Sequence, residues 1–394
     1  MSAVLGRRVG LTGNDAVALA WRQIDPDVVA AYPITPSTQI VERFSQYVAD
    51  GEVQTQFLAV ESEHSAISAC VGASAAGARV MTATSSQGLA LMHEILYVAS
   101  GLRLPIIMVV GNRALSSPIN IHGDHSDTMG SRDAGWIQLY CRDVQDAYDR
   151  TILAVRIAER ARLPVMVCLD GFTLTHSLEP IEAYPDEEVQ EFVGEGPADG
   201  YALLGGGEPI SVGPLALPDS YMEFRRALAA AMERAREVIA VETEAFNTRF
   251  GRALPAFVEK FEMDDAEEAF LLMGSYADMV RDAVARWRRA RRVGMVRLVT
   301  FRPFPAEEVA RALGRIRHVH VLERADTLST LGGPLGIEIR AALYDRVVRP
   351  AVTDVVFGLG GRELTDGEID GLLRAPGAGD RLRYLGVRQE GGCR

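Results

Sequence analysis

In the stretch Ala31-Tyr32-Pro33-Ile34-Thr35-Pro36-Ser37-Thr38, a short apolar run, Val28 to Ala31, meets two prolines spaced three apart. Proline fixes φ, donates no N–H and pushes the residue before it out of the helical region. Ile34 and Thr35 are therefore held extended and stiff. Ser37 or Thr38 can then cap a helix beginning near Gln39. A strand, a rigid polar turn and a capped helix is how α/β proteins present groups at the carboxyl edge of a sheet, where ligands bind. An ordinary proline-rich connection has the same local signature, so the rest of the chain has to decide between the two.

Working outward, the spacing predicts further strands at Phe57–Val60, Val80–Ala83, Pro105–Val110 and Pro164–Leu169. Helices are expected at Ala16–Arg22 (capped by Asn14 or Asp15), Gln39–Tyr47, Ser65–Ala78, Leu89–Ala99 and Val144–Arg162. Continuous Val/Ile/Leu/Met runs alternating with helices indicate a doubly wound parallel sheet buried on both faces. The polar residues are unevenly spread over these elements. Thr35, Glu61 and Glu63, Ser85 to Gln87, Asn112 and Arg113, and Asp170 all follow the last apolar residue of a strand. In a doubly wound sheet those ends share one edge, so these groups can converge.

Loop signals dominate from Ser177 to Ser220, a helix is expected at Tyr221–Ile239, and a second α/β block follows. Its strands read as Ala269–Met273, Met295–Thr300, His318–Leu322 and Val352–Val356, with helices at Ala277–Arg289, Ala306–Leu313 and Leu335–Tyr344. A boundary near 250–265 divides the chain into a first domain, 1–250, and a smaller one, 260–394. A length of 394 residues suits two domains. The formal net charge of -12 argues against nucleic acid or an anionic membrane as partner. No apolar run approaches a membrane span, and the N-terminus lacks a signal-peptide core. Cys70, Cys141, Cys168 and Cys393 are widely separated and form no CxxC pair, so a reducing cytoplasm is the simplest expected location.

Several stretches carry possible chemistry. Gly123-Asp124-His125-Ser126-Asp127, preceded by His122, offers imidazole and carboxylate groups of metal-ligand type, or forms a hydrogen-bonded loop. Ser85 and Ser86 stand at a strand end without a G-x-S-x-G elbow, and neither a G-x-G-x-x-G nor a P-loop is present. Gly360-Gly361-Arg362 and Gly274-Ser275 could bind an anion or simply form a tight turn and a helix cap. Glu63, Arg113 and Thr35 are the more telling set. On one edge they supply a proton-handling carboxylate, a carboxylate-binding cation and a hydroxyl, which suits an anionic 2-oxoacid.

The motifs Tyr32-Pro33-Ile34-Thr35-Pro36-Ser37-Thr38, Ser62-Glu63-His64, Thr84-Ser85-Ser86-Gln87-Gly88-Leu89 and Gly123-Asp124-His125-Ser126-Asp127 resemble the α subunit of 2-oxoacid:ferredoxin oxidoreductases, pyruvate:ferredoxin oxidoreductase best of all. Leu11-Thr12-Gly13-Asn14-Asp15-Ala16, Ala134-Gly135-Trp136 and Asp170-Gly171-Phe172 fit as well. The resemblance implies a thiamine-diphosphate pyrimidine-binding domain followed by a transketolase-C-like α/β domain. It places the pyrimidine-contacting glutamate on Glu63, with Pro33 beside the cofactor, and substrate contacts on Thr35 and Arg113. The chain has no Gly-Asp-Gly followed by Asn and no cluster-binding cysteines. Magnesium, the diphosphate grip and the 4Fe-4S clusters are therefore expected on partner subunits of β, γ and δ type, with coenzyme A and ferredoxin docking through the complex. The expected reaction is pyruvate + CoA + oxidised ferredoxin ⇌ acetyl-CoA + CO₂ + reduced ferredoxin. A branched-chain 2-oxoacid or 2-oxoglutarate enzyme, a non-catalytic scaffold subunit and a thiamine-dependent synthase without electron transfer are the rival readings.

Overall fold

The computed structural model describes residues 6–196, 203–204, 210–374 and 381–388. Two α/β sheets organise them. The first has seven strands, in spatial order Thr300–Arg302, Ile137–Tyr140, Val165–Asp170, Ile106–Asn112, Val80–Thr84, Val28–Ala31 and Gln56–Ala59. All neighbours in it run parallel except the Thr300–Arg302 edge strand, which is antiparallel to Ile137–Tyr140. Every residue of Ile106–Asn112 and of Val165–Asp170 is buried, because helices cover both faces of this sheet. The register pairs Asn112 with Asp170 and Thr84 with Val110, so the polar strand ends lie side by side at one edge.

The second sheet has six strands, in order Leu382–Tyr384, Ala351–Val356, His318–Glu323, Glu268–Leu272, Val293–Leu298 and Val258–Phe261, parallel apart from the last. The two sheets are not independent layers. One apolar cluster runs from Met108, Met166 and Cys168 of the first sheet into Ala269, Leu271, Val296 and Val319 of the second. Cys70, Cys141 and Cys168 are buried and free, and Cys393 lies outside the described residues. Among the described residues no helix is long and apolar enough to cross a membrane.

Several expectations needed correction. Thr12, not Asn14 or Asp15, caps the first helix, Gly13–Ile24: its hydroxyl accepts from the Asp15 N–H. Ser37 begins the helix Thr38–Ala49, but its side chain makes no capping bond. The single strand expected at Met295–Thr300 is two: Val293–Leu298 stays in the second sheet, while Thr300–Arg302 crosses to the first. The loop-rich stretch 177–220 contains the strand Leu178–Ala183, paired antiparallel with Arg7–Thr12, and the helix Asp186–Val193. The helix expected at Tyr221–Ile239 continues to Phe250, where Gly251 at φ +64° ends it in the left-handed conformation.

Candidate functional site

The proline turn is fixed from below by Asn14. This residue is fully buried, and its side-chain amide donates to the Pro36 carbonyl at 2.9 Å and to Gln39 Oε1 at 3.3 Å. Asn14, in the first turn of its helix, thereby serves the proline turn with its side chain. Ser37 Oγ donates back to the Ile34 carbonyl at 2.9 Å and accepts from Ser85 Oγ at 3.0 Å, linking the turn to the next strand end. Pro33 and Thr35 remain exposed at the top of the turn. Two glycines allow this closeness. A Cβ on Gly111 would stand 3.3 Å from Pro36 Cγ, and one on Gly171 would meet the same atom at 3.0 Å and the Asn112 carbonyl at 2.3 Å.

Arg113 and Thr35 are brought together. Arg113 is 7 % exposed, and its guanidinium donates from Nη1 to the Thr35 carbonyl at 3.0 Å and from Nε to the Asn120 carbonyl at 2.9 Å. A guanidinium carries five N–H donors in a fixed fork. Two are used here on main-chain oxygens, which fixes the direction in which the others point. Arg113's own N–H is held by Asp127, whose carboxylate also accepts from the Ser86 N–H, the Thr128 N–H and Asn112 Nδ2, at 2.8 to 3.0 Å. Burial pushes the Asp127 carboxyl up to about 6, against these hydrogen bonds, which favour its charged form. The Gly123–Asp127 stretch is therefore a hydrogen-bonded loop that joins two strand ends. Among the described residues no group of three His, Cys, Asp or Glu side chains is placed to hold a metal.

Glu63 opens the helix Glu63–Ala75, which Ser62 caps by accepting from the Ser65 N–H. A carboxylate in a first turn is favoured by the helix dipole. Its neighbour Glu61 is exposed and spent on Ser65 Oγ at 2.5 Å, a bond that lowers the Glu61 pKa. Glu63 differs: it is 7 % exposed, and its carboxylate has no hydrogen-bond or ion-pair partner among the described residues. Gly88 makes room for it. A Cβ there would come within 2.7 Å of Glu63 Oε1 and 2.5 Å of Thr84 Oγ1, and that Thr84 hydroxyl is itself buried without a partner. Glu63 does not touch Thr35 or Arg113; the Thr84–Gly88 segment connects them, through Ser85 to the turn and through Ser86 to Ala114.

The sequence reading missed Asn14, Gly88 and Asp127 as supports of this edge. It also missed the tie between the sheets. Asp170 Oδ1 lies 2.6 Å from His125 Nε2, and Asp170 Oδ2 accepts from Ser275 Oγ at 2.5 Å and pairs with Arg324 Nη1 at 3.1 Å. Burial alone would raise the Asp170 pKa, but Arg324 and His125 overcome it and hold the carboxyl well below its ordinary range. Gly274-Ser275 is accordingly a receptor for a protein carboxylate. The only local signal was an acid at a strand end facing a Gly-Ser at a distant one.

Two family models match the chain: pyruvate flavodoxin/ferredoxin oxidoreductase, thiamine diphosphate-binding, over residues 20–244, and pyruvate:ferredoxin oxidoreductase core domain II over residues 266–369. The pyruvate synthase subunit PorA of Thermotoga maritima is 50% identical over 393 residues, covering 97% of this chain and 98% of the relative. The ketoisovalerate oxidoreductase subunit VorA of Pyrococcus abyssi is 42% identical over 363 residues, covering 92% and 91%. Among solved structures, 2-oxoglutarate:ferredoxin oxidoreductase from Magnetococcus marinus superposes with a TM-score of 0.70 at 23% identity. That match covers 93% of this chain and 65% of the longer one, and it shows the shared fold. The chain belongs to the pyruvate flavodoxin/ferredoxin oxidoreductase family.

Proposed function

We propose that this chain is the α-type subunit of a thiamine-diphosphate-dependent pyruvate:ferredoxin oxidoreductase, and that Glu63, Thr35 and Arg113 are its contribution to the reaction centre. The observation that carries the reading is Glu63: a buried carboxylate without a protein partner, in a recess that any side chain at position 88 would fill. Such a recess fits the edge of an aminopyrimidine. Thiamine diphosphate, when bound, supplies a thiazolium carbon that adds to the 2-oxo group and carries the electrons left by decarboxylation. Glu63 holds or shares a proton with the pyrimidine N1′, a role suited to a carboxylate shielded from water. Pro33 lies on the turn that borders this cofactor position.

Arg113 takes the substrate carboxylate with the N–H groups not bonded to Thr35 and Asn120, and charge-assisted pairing of this kind orients a planar anion. The Thr35 hydroxyl, exposed on a turn held by Asn14 and Ser37, contacts the oxoacid oxygens. Preorganisation of both groups lowers the entropy lost on binding. Magnesium, the diphosphate grip and the 4Fe-4S clusters belong to partner subunits of β, γ and δ type, and coenzyme A and ferredoxin engage the complex as a whole. Residues 1–250 form the thiamine-binding domain and 260–394 the second domain, in a cytoplasmic enzyme.

The similarity to a ketoisovalerate enzyme subunit keeps a branched-chain substrate as a second reading, since Thr35 and Arg113 address only the oxoacid head. The test is co-expression with the partner subunits, followed by CoA-dependent reduction of a low-potential dye with each oxoacid in turn. Pyruvate is expected to give the largest kcat/KM. A preference for 2-oxoisovalerate or 2-oxoglutarate of tenfold or more, about 1.4 kcal/mol, overturns the substrate assignment. No oxoacid-dependent dye reduction by an assembled complex overturns the activity.

A further inference from the structure

The loop that leaves Arg113 is held near its returning end by the turn that follows a strand of the other sheet. It runs from Arg113 to His122, is closed at its base by the Ala114 N–H on the His122 carbonyl at 3.1 Å, and exposes Ile119 and Ile121. Asn120, two residues before the His122 end, faces both ways. The Asn120 carbonyl accepts from Arg113 Nε at 2.9 Å, while the Asn120 side-chain Nδ2 donates to the Gly360 carbonyl at 3.0 Å. Asn120 Oδ1 accepts from the His122 N–H at 2.7 Å, so both ends of the side chain are committed.

Gly360 belongs to the tight turn Leu359–Gly361, which follows the second-sheet strand Ala351–Val356. The turn is built for close approach. Gly358, Gly360 and Gly361 all have φ between +61° and +79°, the region open to glycine. A Cβ on Gly360 would meet Asn120 Nδ2 at 2.4 Å, and one on Gly361 would meet His122 Cβ at 2.3 Å. The Gly360 N–H adds a second bond, to Asp124 Oδ2 at 2.9 Å. Alongside, Arg324 donates to the Gly123 carbonyl, and its own carbonyl accepts from the His125 N–H at 2.8 Å.

We infer that Asn120 and Gly360 are positioning residues for substrate binding: the glycine turn of the second sheet sets the place of Asn120, and Asn120 sets the direction of the Arg113 guanidinium. This rests on the reading of Arg113 as the carboxylate-binding group. It gives the second α/β block a part in oxoacid recognition without any contact to substrate. A turn more than two hundred residues downstream then governs KM for the oxoacid, and the effect is confined to that ligand.

The test uses the assembled complex with Arg113→Ala, Asn120→Ala, Gly360→Ala and the Asn120→Ala/Gly360→Ala double variant, with KM for pyruvate, KM for CoA and kcat measured for each. Asn120→Ala and Gly360→Ala are each expected to raise the pyruvate KM about tenfold, the size of one misdirected charge-assisted bond, with the CoA KM within about twofold of wild type. Because both singles act on one contact, the double variant should be no worse than the poorer single. A purely structural role for the contact would lower kcat or yield and leave the split between the two KM values unmoved. If Arg113→Ala raises the pyruvate KM while Asn120→Ala and Gly360→Ala leave it unchanged, the positioning role is wrong and the Arg113 reading stands. If Arg113→Ala leaves it unchanged, the Arg113 reading falls, and this inference with it. Should Gly360→Ala fail to assemble, Asn120→Ala alone still decides.

Discussion

At the carboxyl edge of the seven-stranded sheet, Glu63 lies buried with no partner among the described residues, and Arg113 keeps donors to spare after bonding two carbonyls. At the same edge of the six-stranded sheet, the acids are anchored by backbone N–H groups of the protein itself. Glu323 accepts from the Leu335 and Gly336 N–H groups at 2.8 and 2.9 Å, at the start of the helix Pro334–Leu343. Asp354 accepts from the Gly333 N–H at 2.9 Å through Oδ2 and faces Glu323, while its Oδ1 is buried without a hydrogen-bond partner. Both edges present carboxylates beside helix N-termini and glycines that a Cβ would fill. The difference is that Glu323 and Asp354 are each anchored by backbone N–H groups, whereas the Glu63 carboxylate accepts no hydrogen bond from the described residues. Proximity of polar groups at a sheet edge is thus common to both blocks, and the carboxylate with no protein anchor is the one we assign to a ligand.

The contrast can be broken most severely at the tie between the edges. Asp170→Ala leaves Arg324 and His125 buried without their counter-charge, and removing one partner of such a pair costs about 3–5 kcal/mol. The folded chain should be lost or its melting temperature should fall sharply, as read by thermal unfolding of the complex. Gly88→Ala strikes the ligand side instead. Overpacking is expected to cost roughly 1–3 kcal/mol of stability. Displacement of Glu63 should also lower kcat by about a hundredfold. Dye-reduction kinetics beside a melting curve separate the two effects, and a kcat near wild type shows that the recess is not the reaction centre.

The smallest effect lies in the second edge. Burial, with Asp354 beside it, holds the Glu323 carboxyl well above its ordinary range. The folded chain therefore keeps a proton that the unfolded chain releases above its ordinary carboxylate pKa. Stability is then greatest below that value and falls as pH rises through the raised one. Asp354→Asn puts a permanent N–H where the shared proton sits, so its melting temperature should fall less between pH 5 and 8 and stand above wild type at pH 8 by the equivalent of about 1 kcal/mol. Parallel pH slopes in the two proteins contradict a shared proton.

How much of this was legible in the sequence follows from how local each signal is. The parallel strands announced themselves, because IIMVVGN and VMVCLD are apolar up to their last residue, Asn112 and Asp170, as burial on both faces requires. The antiparallel pair of Arg7–Thr12 with Leu178–Ala183 did not, since RRVGLT and LEPIEA carry no clean alternation and pair across more than 160 residues. Thr300–Arg302 was hidden for a different reason. It follows Val293–Leu298 with no turn residue between them, and only the tertiary fold decides that Leu298 and Thr300 serve different sheets. At the candidate site, the types Thr35, Glu63 and Arg113 were readable from their places after strands. The glycines that admit them were not. Gly88, Gly171 and Gly360 are needed because distant atoms arrive at 2.3 to 2.7 Å from a would-be Cβ, and sequence records no distance between segments.

The central claim is that the Glu63 carboxylate waits for the cofactor, and Glu63→Gln in the assembled complex tests it most directly, through kcat for pyruvate- and CoA-dependent dye reduction at saturating thiamine diphosphate. Glutamine keeps the size and the helix, so the melting temperature should stay near wild type while kcat falls by about 10²–10⁴-fold, as expected when a positioned proton carrier is removed. Full turnover by this variant contradicts the account.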